Sequence, residues 1–103
     1  MPARVAASDF SLADLPEGRA LVLFVADWCG YCHRFLPHFR RLGGTIVDVT
    51  DEDDPLWDAL ALRVVPTVVL FEGRAPRRRW AGALSAEDAE EMRRAFVAPE
   101  AEG

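Results

Sequence analysis

Trp28-Cys29-Gly30-Tyr31-Cys32-His33 contains both cysteines of the chain, and their spacing is its strongest chemical signal. Two thiols separated by two residues can close and reopen a disulfide. If a helix begins at Cys29, the sulfurs stand three residues apart on neighbouring turns, and Cys29 lies among unpaired N–H groups at the positive end of the helix dipole. That setting favours its thiolate and makes it the nucleophile. Downstream, Cys32, Phe35, Leu36, Phe39 and Leu42 recur at helical spacing and put Cys32 on the buried side. The pair is therefore read as one reactive and one sheltered sulfur. Arg40 and Arg41 suit the negative end of the dipole, Gly43-Gly44 can supply a left-handed cap, and Pro37 is expected to kink this helix without ending it.

Working outward, Ala20 to Ala26 is an uninterrupted apolar run that suits a central strand covered on both faces. Thr45 to Val49 reads as another strand. Asp53-Asp54-Pro55 places cap acids and an early proline before Leu56, Leu60 and Arg63, which marks a second helix. Val68 to Phe71 is again apolar, Glu72 to Pro76 has turn chemistry, and Arg77 to Ala81 can return antiparallel. Ser85 to Asp88 resembles a capping box with Asp in place of Glu, opening a helix with Ala89, Met92 and Phe96 on its apolar face. Val5 to Phe10 is either a degraded first strand or an arm. The order implies an α/β fold, a mixed sheet of about four strands with helices on both faces.

With 103 residues and 50% of positions apolar, the chain fits one domain over residues 1–97 followed by a flexible acidic tail at 98–103. No basic leader and no apolar run near the length of a membrane span is visible, so a cytoplasmic monomer is expected. A net charge of -5 argues against nucleic acid and anionic membranes as partners.

Four motifs in order, Trp28-Cys29-Gly30-Tyr31-Cys32, Pro37, Val65-Pro66-Thr67 and Gly82-Ala83-Leu84-Ser85, resemble the thioredoxin family over about residues 20 to 96. The resemblance implies a thioredoxin fold in which Val65-Pro66 is a cis peptide facing the cysteines. It also implies that the Val65 backbone pairs with an extended substrate and that Trp28, Gly82 and Ala83 line an apolar groove around the sulfurs. Gly30, Tyr31 and Thr67 fall in the same motifs and join that substrate-binding set. Three departures stand out. Thioredoxins usually carry a buried Asp six residues before the first cysteine, where this chain has Leu23, and the lysine near that acid is replaced by Ile46 and Val47. The usual Gly-Pro dipeptide is Gly-Tyr, and Cys-Gly-Tyr-Cys-His is similar to the active site of bacterial periplasmic disulfide isomerases.

Competing readings of the same residues are weaker. A structural disulfide ignores the surrounding motifs. Cys29 to His33 fits the C-x-x-C-H haem-attachment pattern, yet Met92 is the only internal methionine and strands stand where such cytochromes have helices. Zinc would need His33 and His38, which point about 140° apart on a helix. No metal and no cofactor is expected. His33, four residues after Cys29, is either an exposed histidine or a group that tunes the sulfur as imidazolium. Trp57 and Trp80 read as packing residues, and Arg77-Arg78-Arg79 as a solvated edge.

The expected activity is thiol-disulfide exchange. Cys29 attacks a disulfide-containing protein substrate, Cys32 resolves the mixed disulfide, and a reductase or other thiol-disulfide electron donor restores the dithiol. A thioredoxin-like reductant leads. A disulfide isomerase or oxidant is the enzymatic alternative, and a redox-sensing interaction module the non-enzymatic one.

Overall fold

The structure, a computed structural model, describes residues 4–97; the acidic tail at 98–103 lies outside them. Strands β1 (Arg4–Ala6), β2 (Arg19–Val25), β3 (Thr45–Asp48), β4 (Thr67–Glu72) and β5 (Ala75–Ala81) form one sheet in the order β1-β3-β2-β4-β5. Helices α1 (Gly30–Arg40), α2 (Leu56–Ala59) and α3 (Ala86–Val97) complete the fold. β2 runs parallel to β3 and antiparallel to β4, and Leu21 to Val25 are buried throughout, as a strand apolar on both faces requires.

The register assigns the two faces. Leu23 lies opposite Ile46 and Val68, and Val68 opposite Trp80, so these side chains share a face. Trp80 Nε1 donates to Glu91 of α3 at 3.0 Å, which places α3 there, and α1 packs against α3. Phe24 points the other way, where Phe10 meets it edge-on with ring centroids 5.8 Å apart. Arg79 belongs to that second face and donates to the carbonyls of Leu60 and Ala61, which brings in the end of α2. Helices therefore cover both sides of a five-stranded sheet.

The fifth strand is the N-terminal segment, of which only Arg4–Ala6 pairs, parallel to β3; the chain then turns through short 3-10 helices at Ala7–Asp9 and Leu12–Asp14. The second helix is a single turn. Asp54 Oδ1 accepts the Leu56 N–H at 2.9 Å, but Ala61 turns left-handed at φ 53 and the Leu62 N–H returns to Trp57 O at 2.7 Å, closing the helix before Arg63. The hairpin is tighter than the sequence suggests, with Gly73 (φ 60) and Arg74 (φ 67) as its two left-handed residues and β5 starting at Ala75. The capping box forms, since Asp88 Oδ2 accepts the Ser85 N–H at 2.8 Å and Ser85 Oγ accepts the Asp88 N–H at 3.4 Å. Ala89 and Met92 are buried, whereas Phe96 is exposed.

After α1, which continues through Pro37, Gly43 takes φ 77 and Gly44 brings the backbone against β2. A Cβ at Gly44 would stand 2.6 Å from both Leu21 O and Phe39 Cζ, whereas one at Gly18 would meet nothing within 4 Å. Gly44→Ala should therefore cost roughly 1 to 3 kcal/mol, and Gly18→Ala no more than about 0.5 kcal/mol. Urea midpoints of the two variants check this, and equal midpoints would refute the close approach of this turn to β2.

Candidate active site

β2 ends at Val25, and Ala26 and Asp27 lead into a turn whose last residue, Cys29, is the N-cap of α1 in extended conformation (φ -103, ψ 111). An N-cap is normally an oxygen-bearing side chain. Here Cys29 Sγ accepts the Cys32 N–H at 3.2 Å, and the Cys29 carbonyl accepts the His33 N–H at 3.3 Å. The sulfur also donates to Val65 O at 3.3 Å. Both cysteines are free thiols. They differ less in burial than one reactive and one sheltered sulfur would suggest, since Cys29 is 7% exposed and Cys32 0%.

Cys32 sits in the core between α1 and the sheet. Burial first, then its hydrogen bond and charge coupling to Cys29, push its thiol up to about 12, against weaker downward pulls from the Ala26 backbone and Arg4. Leu23 and Ile46, side by side in register, are buried to 0% and 1%, so neither offers a proton acceptor.

The rim is apolar and open. Trp28 is 54% exposed and Tyr31 52%. The Trp28 indole is fixed by donating to Thr50 O at 3.0 Å, and Arg34 lies 5.1 Å from the Tyr31 ring centroid. Gly30 is exposed on the first turn of α1. Across from them stands the loop before β4: Val64 is exposed, Val65 is buried with its carbonyl on Cys29, and the Val65-Pro66 peptide is cis. Thr67 is buried and donates to Val64 O at 2.7 Å, which pins this loop. Gly82 (φ 100) donates its N–H to Pro66 O at 3.1 Å, so Gly82 and the exposed Ala83 lie beside Val65-Pro66. Trp28, Gly30 and Tyr31 thus share the cysteine turn, while Val65, Pro66, Thr67, Gly82 and Ala83 form the facing wall.

His33 is exposed, and its Nε2 lies 2.9 Å from Asp27 O, donating to that carbonyl. The ring is tied to the turn that precedes Cys29. Trp57 is anchored by its indole on Val49 O and Asp51 O, and Trp80 is buried, as packing residues should be. The three arginines of β5 are tethered: Arg77 to Glu72 at 3.1 Å, Arg78 to Glu91 at 2.6 Å and Arg79 to two carbonyls. Sequence reasoning missed Thr50 and Val64. Val64 adjoins a motif and could have been found from it, whereas Thr50 reaches the turn across 22 residues and carries no local signal.

The thioredoxin family model matches residues 4–94. An alignment of 66 positions that covers 56% of this chain is 30% identical to protein disulfide-isomerase of Saccharomyces cerevisiae; the match spans 13% of the yeast protein's length. A single-substitution variant of thioredoxin from Halobacterium salinarum superimposes with a TM-score of 0.70 at 25% identity, covering 81% of this chain and 78% of that one. Thioredoxin of Malassezia sympodialis has the same fold, with a TM-score of 0.75 over 95% of this chain and 94% of its own at 18% identity. An N-cap cysteine, a second thiol one turn on and a cis-proline loop against them sit within a match that runs almost the length of the chain, and the chain belongs to the thioredoxin family.

Proposed function

We propose that the chain reduces protein disulfides by dithiol exchange. The observation that carries this reading is the position of Cys29 Sγ: it caps α1, takes the Cys32 N–H and opens between exposed Trp28, Tyr31 and Val64. Hydrogen bonds from N–H groups and the helix dipole stabilise negative charge on such a sulfur. The Cys29 thiolate attacks one sulfur of the substrate, giving a mixed disulfide and one substrate thiolate. Cys32, after losing its proton, attacks Cys29 Sγ; the second substrate thiolate leaves and Cys29–Cys32 closes. Two electrons pass to the substrate, and a dithiol donor, such as a reductase, returns them. A reducing compartment such as the cytoplasm would keep the pair ready.

Direction follows from what stabilises the reduced form, because strong oxidants owe their potential to a stabilised thiolate. His33, the side chain best placed by sequence to do that, is directed at the Asp27 carbonyl. The couple should lie nearer about -270 mV than about -120 mV in a glutathione titration. The protein should also accelerate insulin reduction by dithiothreitol, and Cys29→Ser should abolish that. A potential near the oxidising end would replace the reductant reading with the oxidant or isomerase one, and no acceleration of insulin reduction would leave a redox-sensing module.

Burial of Cys32 also couples folding to pH. Its folded-state pKa, about 12, stands above the ordinary 9.0, so the folded protein holds the proton more tightly than the unfolded chain. That stabilisation is complete below 9.0 and is lost as pH rises from there through about 12. The reduced parent should lose about 1.4 kcal/mol per pH unit relative to Cys32→Ser across this window. Urea midpoints of the two reduced proteins measure it, and parallel pH profiles would refute it.

Placing a carboxyl at position 23 tests whether proton loss from Cys32 limits turnover. Leu23→Asp buries an acid among apolar neighbours and should cost roughly 1 to 3 kcal/mol. Burial also raises its pKa, so faster resolution of a mixed disulfide should emerge only as pH rises past neutrality. Stopped-flow decay of the mixed disulfide decides; an unchanged rate at every pH would mean that Cys32 delivers its proton directly to water.

A further inference from the structure

The sheet register aligns Leu23, Ile46 and Arg4 in one row across β2, β3 and β1. The first two are buried and uncharged, so Arg4, at the outer end, carries the charge of that row. Its guanidinium donates to Asp27 Oδ1 at 2.7 Å and to Asp48 Oδ2 at 2.9 Å. Both acids lead to the cysteine turn. Asp27 lies two residues before Cys29; its N–H donates to Thr50 Oγ1 at 2.8 Å and its carbonyl accepts from His33. Asp48 Oδ1 accepts the Thr50 N–H at 2.8 Å, and Thr50 O accepts the Trp28 indole N–H. Arg4, Asp48, Thr50 and Asp27 therefore form a closed circuit, held at one end by the edge strand and at the other by the turn that presents Cys29.

Stability alone is a weak reason for the Asp27 arm of this circuit, because an ion pair with an exposed partner contributes little, and Asp27 is 68% exposed. Its electrostatics point at the dithiol. Around Cys32, the Cys29 thiol at the N-cap of α1 adds to the upward push of burial, and the charge of Arg4 on β1 opposes it, more weakly than the Ala26 backbone does. Burial acts to raise the Asp48 carboxyl too, yet hydrogen bonds from Thr50 and Arg4 hold it below the usual carboxylate range. Asp48 thus stays ionised as an anchor and is a poor proton acceptor.

Resting on the oxidoreductase reading above, we infer that Arg4 is a positioning residue of the redox site: anchored by Asp27 and Asp48, it holds a positive charge at the end of the Leu23–Ile46 row and so speeds the resolving attack of Cys32. In that step Cys32 loses its proton to solvent and its thiolate forms a bond to Cys29 Sγ. The bond from Cys29 to the substrate sulfur breaks, and the substrate leaves as a thiolate. A nearby cation enlarges the fraction of Cys32 that can attack. A tenfold fall in thiolate is offset about threefold by the greater nucleophilicity of a more basic thiol, leaving a net slowing of about threefold.

Ellman's reagent reads both steps in the full chain, since reduced protein releases one aryl thiolate as Cys29 is modified and a second as Cys32 closes the disulfide. Arg4→Gln, which keeps donors toward both acids but removes the charge, should leave the first phase within about twofold and slow the second about threefold from mildly acidic to mildly alkaline pH. Arg4→Lys keeps the charge and should bring the second phase back to within about twofold of the parent. A parental second phase in Arg4→Gln, or an Arg4→Lys as slow as Arg4→Gln, overturns the assignment while leaving the oxidoreductase reading intact. A parent that releases only one equivalent overturns that reading itself, and this inference with it.

Discussion

One hydrogen bond, from the Cys32 N–H to Cys29 Sγ, ties the chemistry of this protein to its folding. The atom that accepts it is both the cap of α1 and the sulfur that attacks in the proposed exchange. Because a helix cap must sit where its chain enters the helix, the sulfur's position follows from where β2 ends and α1 begins. β2 is paired to β4 over Arg19 to Phe24 and to β3 over Val22 to Val25, so the cysteine turn emerges at the end of a central strand held from both sides. Helix α1 is then kept in place by Phe35 and Phe39, fully buried, and by Gly44, which lets the following turn close against Leu21. Reactivity is therefore inherited from the core.

That inheritance has an electrostatic consequence. A sulfur on the buried face of α1 gains packing but loses water, and Cys32 is driven toward its neutral form by desolvation before any charge is considered. Leu23 and Ile46 extend the same apolar environment beneath it. The thiol is thus shielded from solvent and held toward its neutral form, two results of one cause. Charges that modulate it must act from the periphery of the sheet, and the circuit through Arg4 occupies such a place.

Elements written in contiguous residues were legible in the sequence. The apolar run of β2, the helix that starts beside Cys29 and the Ser85–Asp88 box each rest on neighbours within a few positions, where periodicity and capping rules operate. Elements decided by distant contacts were not. β1 pairs over three residues because β3 presents a free parallel edge 42 positions later, and the sequence, which left Val5 to Phe10 as a degraded strand or an arm, does not decide between them. Asp54-Pro55 correctly opens a helix, but Ala61 closes it after one turn by taking a left-handed conformation that alanine rarely adopts. At the site, the two cysteines and the Val65-Pro66 wall were found from motifs. The Thr50 anchor and the Arg4 circuit span 22 to 44 positions and depended on the register of the sheet.

The hydrogen bond from Cys29 Sγ to Val65 O joins the sulfur that attacks in the proposed exchange to the loop before β4. While the thiol is protonated, the Val65 carbonyl has a donor and the loop before β4 is satisfied. Loss of the proton removes that donor and sets a negative sulfur against a carbonyl oxygen, leaving a buried acceptor unpaired at a cost of about 1 to 3 kcal/mol. An incoming backbone N–H on Val65 O would relieve this cost. In the proposed exchange, an extended substrate chain along that loop, over the exposed side chains of Trp28, Tyr31 and Val64, would supply such a donor and bring its own disulfide to the buried Cys29. Under the proposed function, the burial of Cys29 favours disulfides carried on an accessible extended chain over rigid ones buried in folded proteins.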